Sequence, residues 1–238
     1  MQETQGKRFR LSSTFWSWLQ LPLVVIVLVA GFLWLGNQQN QANLQLSRQQ
    51  HDTAIQVANN QQQEAILQDY TDTISNMMIN NKLFTATSTD IVKSVAQART
   101  TEALSRLDAD HKATLMQFLY DTKLINNDHR IISMIGVDVH GAHMRNMDLR
   151  DTALTGINLA GADLRSTNFS YAELIDADFT GANLSGADLH ASDMHGSILT
   201  GANLSGTNLK DVVGLSDDQL TKAKTLSGAT MPDGTIHP

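Results

Sequence analysis

The sequence predicts a mainly β solenoid preceded by a transmembrane helix, a helical stalk and a small helical region. Three observations carry this reading: a five-residue apolar register in the C-terminal third, a 22-residue uncharged apolar stretch near the start, and a polar run free of glycine and proline between them.

The register comes first because it is the least ambiguous. Every fifth residue from Val139 to Leu209 is apolar, and ten of these fifteen are leucine. At 42% apolar composition, chance yields such a run roughly once in half a million trials, so structure imposes it. On an α-helix a step of five turns the side chain by roughly 140° and would smear Leu149, Leu154, Leu159 and Leu164 around the cylinder. On a strand an odd step flips the face each time. Each five-residue unit must therefore end in a bend, which demands a solenoid. Two residues before each centre the side chain is usually small, as at Ala142, Ala162, Ala182 and Ala202, with Thr and Ser elsewhere. Val137, Met147 and Ile157 are larger, which predicts an irregular first coil. The position before the small residue is often glycine, as a tight corner with positive φ selects; Asn146, Asp151 and Asp176 tolerate that corner. Ser166, Tyr171 and Ala191 do not, and are expected to use another turn.

These units, among them GADLR, GANLS and GADLH, resemble the pentapeptide-repeat family, whose pattern is A(D/N)LXX. The resemblance covers residues 137 to 211. It implies a right-handed quadrilateral β-helix with four pentapeptides per coil, hence roughly four coils stacked about 4.8 Å apart. The stretch from Tyr70 through ARTTEALSRLDADHKATLMQFLYDTKLI is similar to the region preceding the repeats in membrane-anchored bacterial members of that family. It brings no known chemistry.

From Phe15 to Gly36 the chain carries no charge, and as a helix this stretch reaches roughly 33 Å against a hydrocarbon core of about 30 Å. Trp16, Trp18 and Trp34 lie near its ends, where amphipathic rings favour the interface. No small-x-small cleavage site follows cleanly, so an uncleaved single-pass anchor is expected rather than a signal peptide. Lys7, Arg8 and Arg10 precede it and the next cation is Arg48, which places the N-terminus in the cytoplasm and the repeats outside it, at a bacterial cell membrane.

Residues 37 to 63 hold 15 Asn or Gln in 27, and Leu44, Ile55, Ile66 and Met77 recur every eleven residues. That spacing fits either a stalk that pairs with a copy of itself or a single polar helix. A helix beginning at Ser88 or Thr89 is expected to turn Ile91, Val95, Leu104 and Leu107 inward, and a second, capped by Asp108, to carry Leu115, Phe118 and Leu119. Both would share a face with Ile74, Met77 and Met78. Beyond Leu209, Ser216 with Gln219 reads as a capping box opening a short helix. The expected organisation is a cytoplasmic tail (1–14), the membrane helix (15–36), a stalk (37–87), a helical collar (88–130), the repeats (131–211) and a C-terminal cap (212–238).

Net charge is −7, too acidic for a nonspecific nucleic-acid binder, and no nucleic-acid partner is expected. The absence of cysteine excludes disulfides and thiolate metal sites. His140, His143, His190 and His195 are never twenty apart, so they read as surface side chains rather than metal ligands. No nucleophile elbow, phosphate loop or paired-carboxylate cleft appears, and a filled tower has no pocket; no catalysis and no cofactor are expected. The function class that remains is a non-catalytic scaffold or protein-interaction module. The surface residues it would use are Arg145 and Arg165 on one face, with Asp148, Asp188, Asp163 and Asp178 in outward columns. The alternative is an acidic DNA-mimic regulator of an enzyme such as gyrase, because some soluble members of the resembled family act that way. Residues 137 to 213 carry ten acidic and four basic side chains, which suits the sign of a mimic, although the arginines interrupt it.

Overall fold

A computed structural model describes residues 13–80, 83–85 and 91–238, with side chains inside the first helix described from Val24 onward. Residues 1–12 of the expected N-terminal tail, the helix start at Ser88 or Thr89 and the last residues of the expected stalk lie outside the described residues. The elements are α1 (Ser13–Ile79), a 3-10 turn (Leu83–Thr85), α2 (Ile91–Arg106), α3 (Ala109–Asp121), the repeats, and α4 (Asp217–Thr221). Compact packing divides between Asn59 and Asn60.

In the first unit, the apolar side chains from Val24 to Leu35 stand 53% to 75% exposed, apart from the small residues Ala30 and Gly31. Among the described residues no helix is long and apolar enough to cross a membrane. The expected span over 15–36 begins nine residues before the first described side chain, and the described residues do not support it.

In the second unit, the end of α1 packs on α2 and α3 through Tyr70, Ile74, Leu104, Leu107, Leu115 and Leu119, all buried, with Met77, Met78 and Phe118 partly buried. The expected shared face forms, but α2 uses a different strip. Ile91 is 80% exposed and Val95 38%, while Ala96, Thr100, Ala103 and Leu104 face inward. Small residues let α2 approach α1 closely enough for the Tyr70 phenol to meet the Thr100 hydroxyl at 2.7 Å. Burial pushes that phenol's pKa up. Asp108 caps α3 as expected, its carboxylate accepting the His111 N–H at 3.0 Å.

The repeats wind with a period of twenty: Asp148, Asn168, Asp188 and Asn208 bridge in parallel one above another, and three further sides do the same. Asn158 donates its N–H down to Val137 while Leu159 donates its N–H up to Asp178. The sides are single bridges rather than extended strands, because two of every five residues are spent on the corner. All fifteen centres from Val139 to Leu209 are at most 1% exposed, including Leu159, Phe179 and Leu199. Phe169 and Phe179 meet edge to face inside, with centroids 6.4 Å apart.

Two expectations fail here. Ser166, Tyr171 and Ala191 adopt the same left-handed corner as glycine, with φ of 57°, 61° and 55°. The ladder above and below fixes the corner geometry, so the side chain accepts the strain instead of changing the turn. The first coil is also regular. Val137 and Ile157 are buried in the ladder, and only Met147 stays partly exposed. Its open edge is covered: His143 donates its N–H to Ala109 at the start of α3, and Ala153 donates to Ile125 in an antiparallel segment. At the other end the bridges widen to 22 residues, Asn203 to Thr225 and Asn208 to Thr230, because α4 is inserted in the last coil. Ser216 and Gln219 form the expected capping box, and the Gln219 amide also donates to the carbonyl of Ser197 at 2.8 Å.

Replacing Ala191 by glycine removes a left-handed cost of about 1–2 kcal/mol and adds about 0.5–1 kcal/mol of unfolded-chain entropy, so chemical denaturation is expected to show a net gain of about 0.5–1 kcal/mol. Gly181→Ala meets open space and loses about the conformational cost alone. Gly214→Ala is expected to lower the melting temperature further, because the new methyl collides with the backbone nitrogen and ring of His195.

Candidate interaction surfaces

The outward position before each centre is Asp or Asn for a reason the period alone does not reveal. Its side-chain oxygen accepts the backbone N–H two residues on: Asn158 from Ala160, Asn168 from Ser170, Asp178 from Thr180, Asp188 from His190, at 2.8 to 3.0 Å. This turn would otherwise leave an N–H without a partner at the corner. The side-chain amides also link coils, Asn158 donating to Asp138 at 3.1 Å and Asn208 to Asp188 at 2.9 Å. The outward columns are therefore structural seams first and surface second.

The six residues singled out from the sequence fall on three sides. Arg145 and Arg165 follow centres twenty apart on one side, where Asp163 joins them; Asp148 and Asp188 share the next column, and Asp178 lies on a third side. Asp163 is clamped by Arg165, whose Nε donates at 2.7 Å and whose terminal nitrogen reaches the other oxygen. Those bonds, with the Arg165 and Arg145 charges, hold the Asp163 carboxyl below the usual carboxylate range despite partial burial. Asp148 is pushed up by partial burial, yet ends lower because Arg150 and Tyr120 bond to it. Asp138 and Asp193 meet His140 and His195 at 2.8 and 2.6 Å. No group of three metal-ligating side chains is present among the described residues.

One feature of the surface was missed. Tyr171 is 53% exposed on a left-handed corner, its ring edge to face with His190 at 5.5 Å, and Asn127 donates to its carbonyl. The available signal was its bulk at a position otherwise held by Gly, Asn, Asp, Ser or Ala. The joint between collar and first coil was also invisible in sequence: the Gln97 amide pairs with both backbone groups of Ser133, and Lys112 Nζ donates to the His140 carbonyl. A groove of about 330 Å³ lies beside it, between Lys93, Arg130, Ile135 and Thr155.

Asn183 accepts from Ser185 N–H and from the Asn203 amide. Asn183→Ala is expected to cost about 1–3 kcal/mol, two bonds' worth, and Asn183→Asp, which keeps the acceptor but stacks a second carboxylate one coil from Asp163, to cost less than that in urea unfolding. The sign of the pH response follows from Asp163. Its folded pKa lies below the unfolded value, so its contribution is present above about pH 4 and is lost as pH falls through the folded value. Asp163→Asn is expected to lower the melting temperature between about pH 5 and 7, where the contribution is present, and to flatten the acid limb of the profile.

The family described as Pentapeptide repeats matches in eight copies over residues 132–170 and 172–211. No curated protein matches the chain. Similar solved structures include a pentapeptide repeat protein from the cyanobacterium Cyanothece 51142, 33% identical, covering 43% of this chain and 65% of that one with a TM-score of 0.33. Another is from Nostoc Pcc 7120, 29% identical over 42% of this chain and 72% of that one, TM-score 0.33. A third, from the Arabidopsis thaliana thylakoid lumen, is 26% identical over 41% and 70%, TM-score 0.23. The chain thus spans a little less than two thirds of the Cyanothece protein. Residues 132–211 thus match the family of pentapeptide repeats.

Proposed function

We propose that this protein is a membrane-anchored, non-catalytic scaffold that presents its β-helix to another protein. The observation that carries the non-catalytic part is the filled interior: every inward centre is closed to solvent, so the tower can act only through its walls. The walls offer flat seams of Asp, Asn, Ser and Thr, broken by Arg145 and Arg165 on one side and by Tyr171 and His190 at a corner.

The anchor rests on the uncharged stretch Phe15–Gly36 and on the exposed apolar row from Val24 to Leu35 within it, which an aqueous setting leaves uncovered. The cations before it favour a cytoplasmic N-terminus, which puts the repeats outside the cytoplasm of a bacterial cell. The acidic-mimic alternative is weaker, because the carboxylates it needs are committed. Asp148 and Asp163 pair with arginines, Asp138 and Asp193 with histidines, and the columns alternate with Asn.

In fractionated cells the full chain is expected in the membrane pellet, resistant to high salt and released by detergent. A phosphatase reporter fused after Pro238 is expected to be active only if exported. Active export supports the reading; a reporter active only in the cytoplasm reverses the orientation, and a chain found in the soluble fraction overturns the anchor. Residues Arg145, Arg165 and Tyr171 are the first to replace with Ala in a binding assay once a partner is captured.

A further inference from the structure

We infer that the groove between α2 and the first coil is a binding site for a carboxylate carried on a small branched apolar body. Elsewhere on the tower an Asp or Asn oxygen accepts the N–H two residues on, as at Ser170, Ser185, His190 and Ser205. Where that second residue also has a hydroxyl, one oxygen can take both donors. Asn168 Oδ1 accepts the Ser170 N–H at 2.9 Å and its Oγ at 2.7 Å. In the cap, Asp233 Oδ1 accepts the Thr235 N–H at 2.9 Å and its Oγ1 at 2.7 Å. Thr155 carries the same two donors, but the residue two before it is Ala153, which has no oxygen to offer. Among the described residues neither the Thr155 N–H nor its buried Oγ1 has a partner. A donor left unpaired away from water costs free energy, which an acceptor arriving from outside recovers.

The surroundings name that acceptor. Ala153 and Thr155 both line the groove, whose volume of about 330 Å³ suits a small ligand. Two cations line it and no carboxylate does. Lys93 has no ion pair or hydrogen bond among the described residues, and Arg130 is held by Glu173, which bridges to Ala153 from the coil above. The Glu173 charge is spent on Arg130, so Lys93 leaves the groove with a positive excess. That sign selects a carboxylate over a neutral amide. Beside it Ile135 stands 70% exposed, a bare hydrocarbon surface for the rest of the ligand. A molecule that meets both features carries its charge and a branched apolar group within a few bonds of each other. A free short-chain acid does so, and so does the carboxyl end of a peptide whose last residue is apolar. The interior of the tower takes no part, because the groove lies outside it at the joint with the collar.

Isothermal titration of the full-length chain, in detergent if membrane extraction requires it, tests the site with three probes. These are isovalerate, the tripeptide acetyl-Ala-Ala-Ile with a free carboxyl end, and the same tripeptide as its amide. The free carboxyl form is expected to bind at least about tenfold more tightly than the amide. Thr155→Val is expected to weaken binding of the acids about tenfold, and Lys93→Ala about threefold. Without ligand, Thr155→Val is expected to leave the melting temperature unchanged or raise it, because it removes an unpaired hydroxyl and keeps the shape. Binding of isovalerate alone assigns the site to a free acid and binding of the tripeptide alone to a chain end; either result supports the site. Equal affinity for acid and amide, no binding of either acid, undiminished binding to Thr155→Val, or a lower melting temperature of that variant would overturn it. The outcome is independent of the anchor and of the scaffold reading, since neither enters the chemistry of the groove.

Discussion

The structure depends on one constraint: a backbone that turns four corners in twenty residues must hand each N–H and C=O to the coil above or below. Residues twenty apart come into register, or twenty-two apart where α4 is inserted in the last coil, so a mismatch in unit length that nothing absorbs would break the bonds on that side. The apolar centres follow from this closure. Once the coil is square, the side chain at the middle of each side points to the axis, and the axis has room for a bulky residue beside a small one. Thr152, Thr167 and Thr207 show how strict the interior is, since each buried hydroxyl donates to a carbonyl of the coil wall.

The same constraint explains which parts were legible in sequence. A five-residue apolar period can be read without coordinates because the closed coil repeats one environment fifteen times. The corners were less legible. Propensity argued that Ser166, Tyr171 and Ala191 would avoid a left-handed turn, and tertiary closure overrode it, since a different turn there would lose ladder bonds worth more than the strain. The Asp/Asn seams were read as outward columns, but their bond to the N–H two residues on was missed because periodicity reports position and not partner. In α2 the apolar residues Ile91 and Val95 misled, because the buried strip is built from Ala and Thr, whose small size is the point of the contact.

The ends of a solenoid pose the problem that its middle solves automatically. Below, the unpaired edge of the first coil is met by two different devices, the start of α3 and the antiparallel segment around Ile125. Above, the chain inserts α4, widens the spacing by two residues and folds Ile236 back on Thr230. Neither end has a repeat of its own, so the cap over 212–238 and the helices before the repeats were legible as elements, but the bonds by which they close each end were not. Capping is what makes a four-coil tower independent of further stacking.

The side-chain chemistry of the walls sets what such a tower can recognise. In an isolated surface carboxylate the charge is free to meet a partner. Here most outward carboxylates already accept a backbone N–H, and several also accept from a neighbouring Arg, His or Asn, so a partner gains less by approaching them than their number suggests. Binding specificity must then come from positions that break the repeat. Tyr171 is the clearest of these, an exposed aromatic held on a strained corner by the rigid coils around it. Large, rigid, half-apolar side chains contribute most to protein interfaces. A wall that is otherwise flat and internally satisfied isolates such a residue, and the repeat fixes its position to within the precision of the ladder.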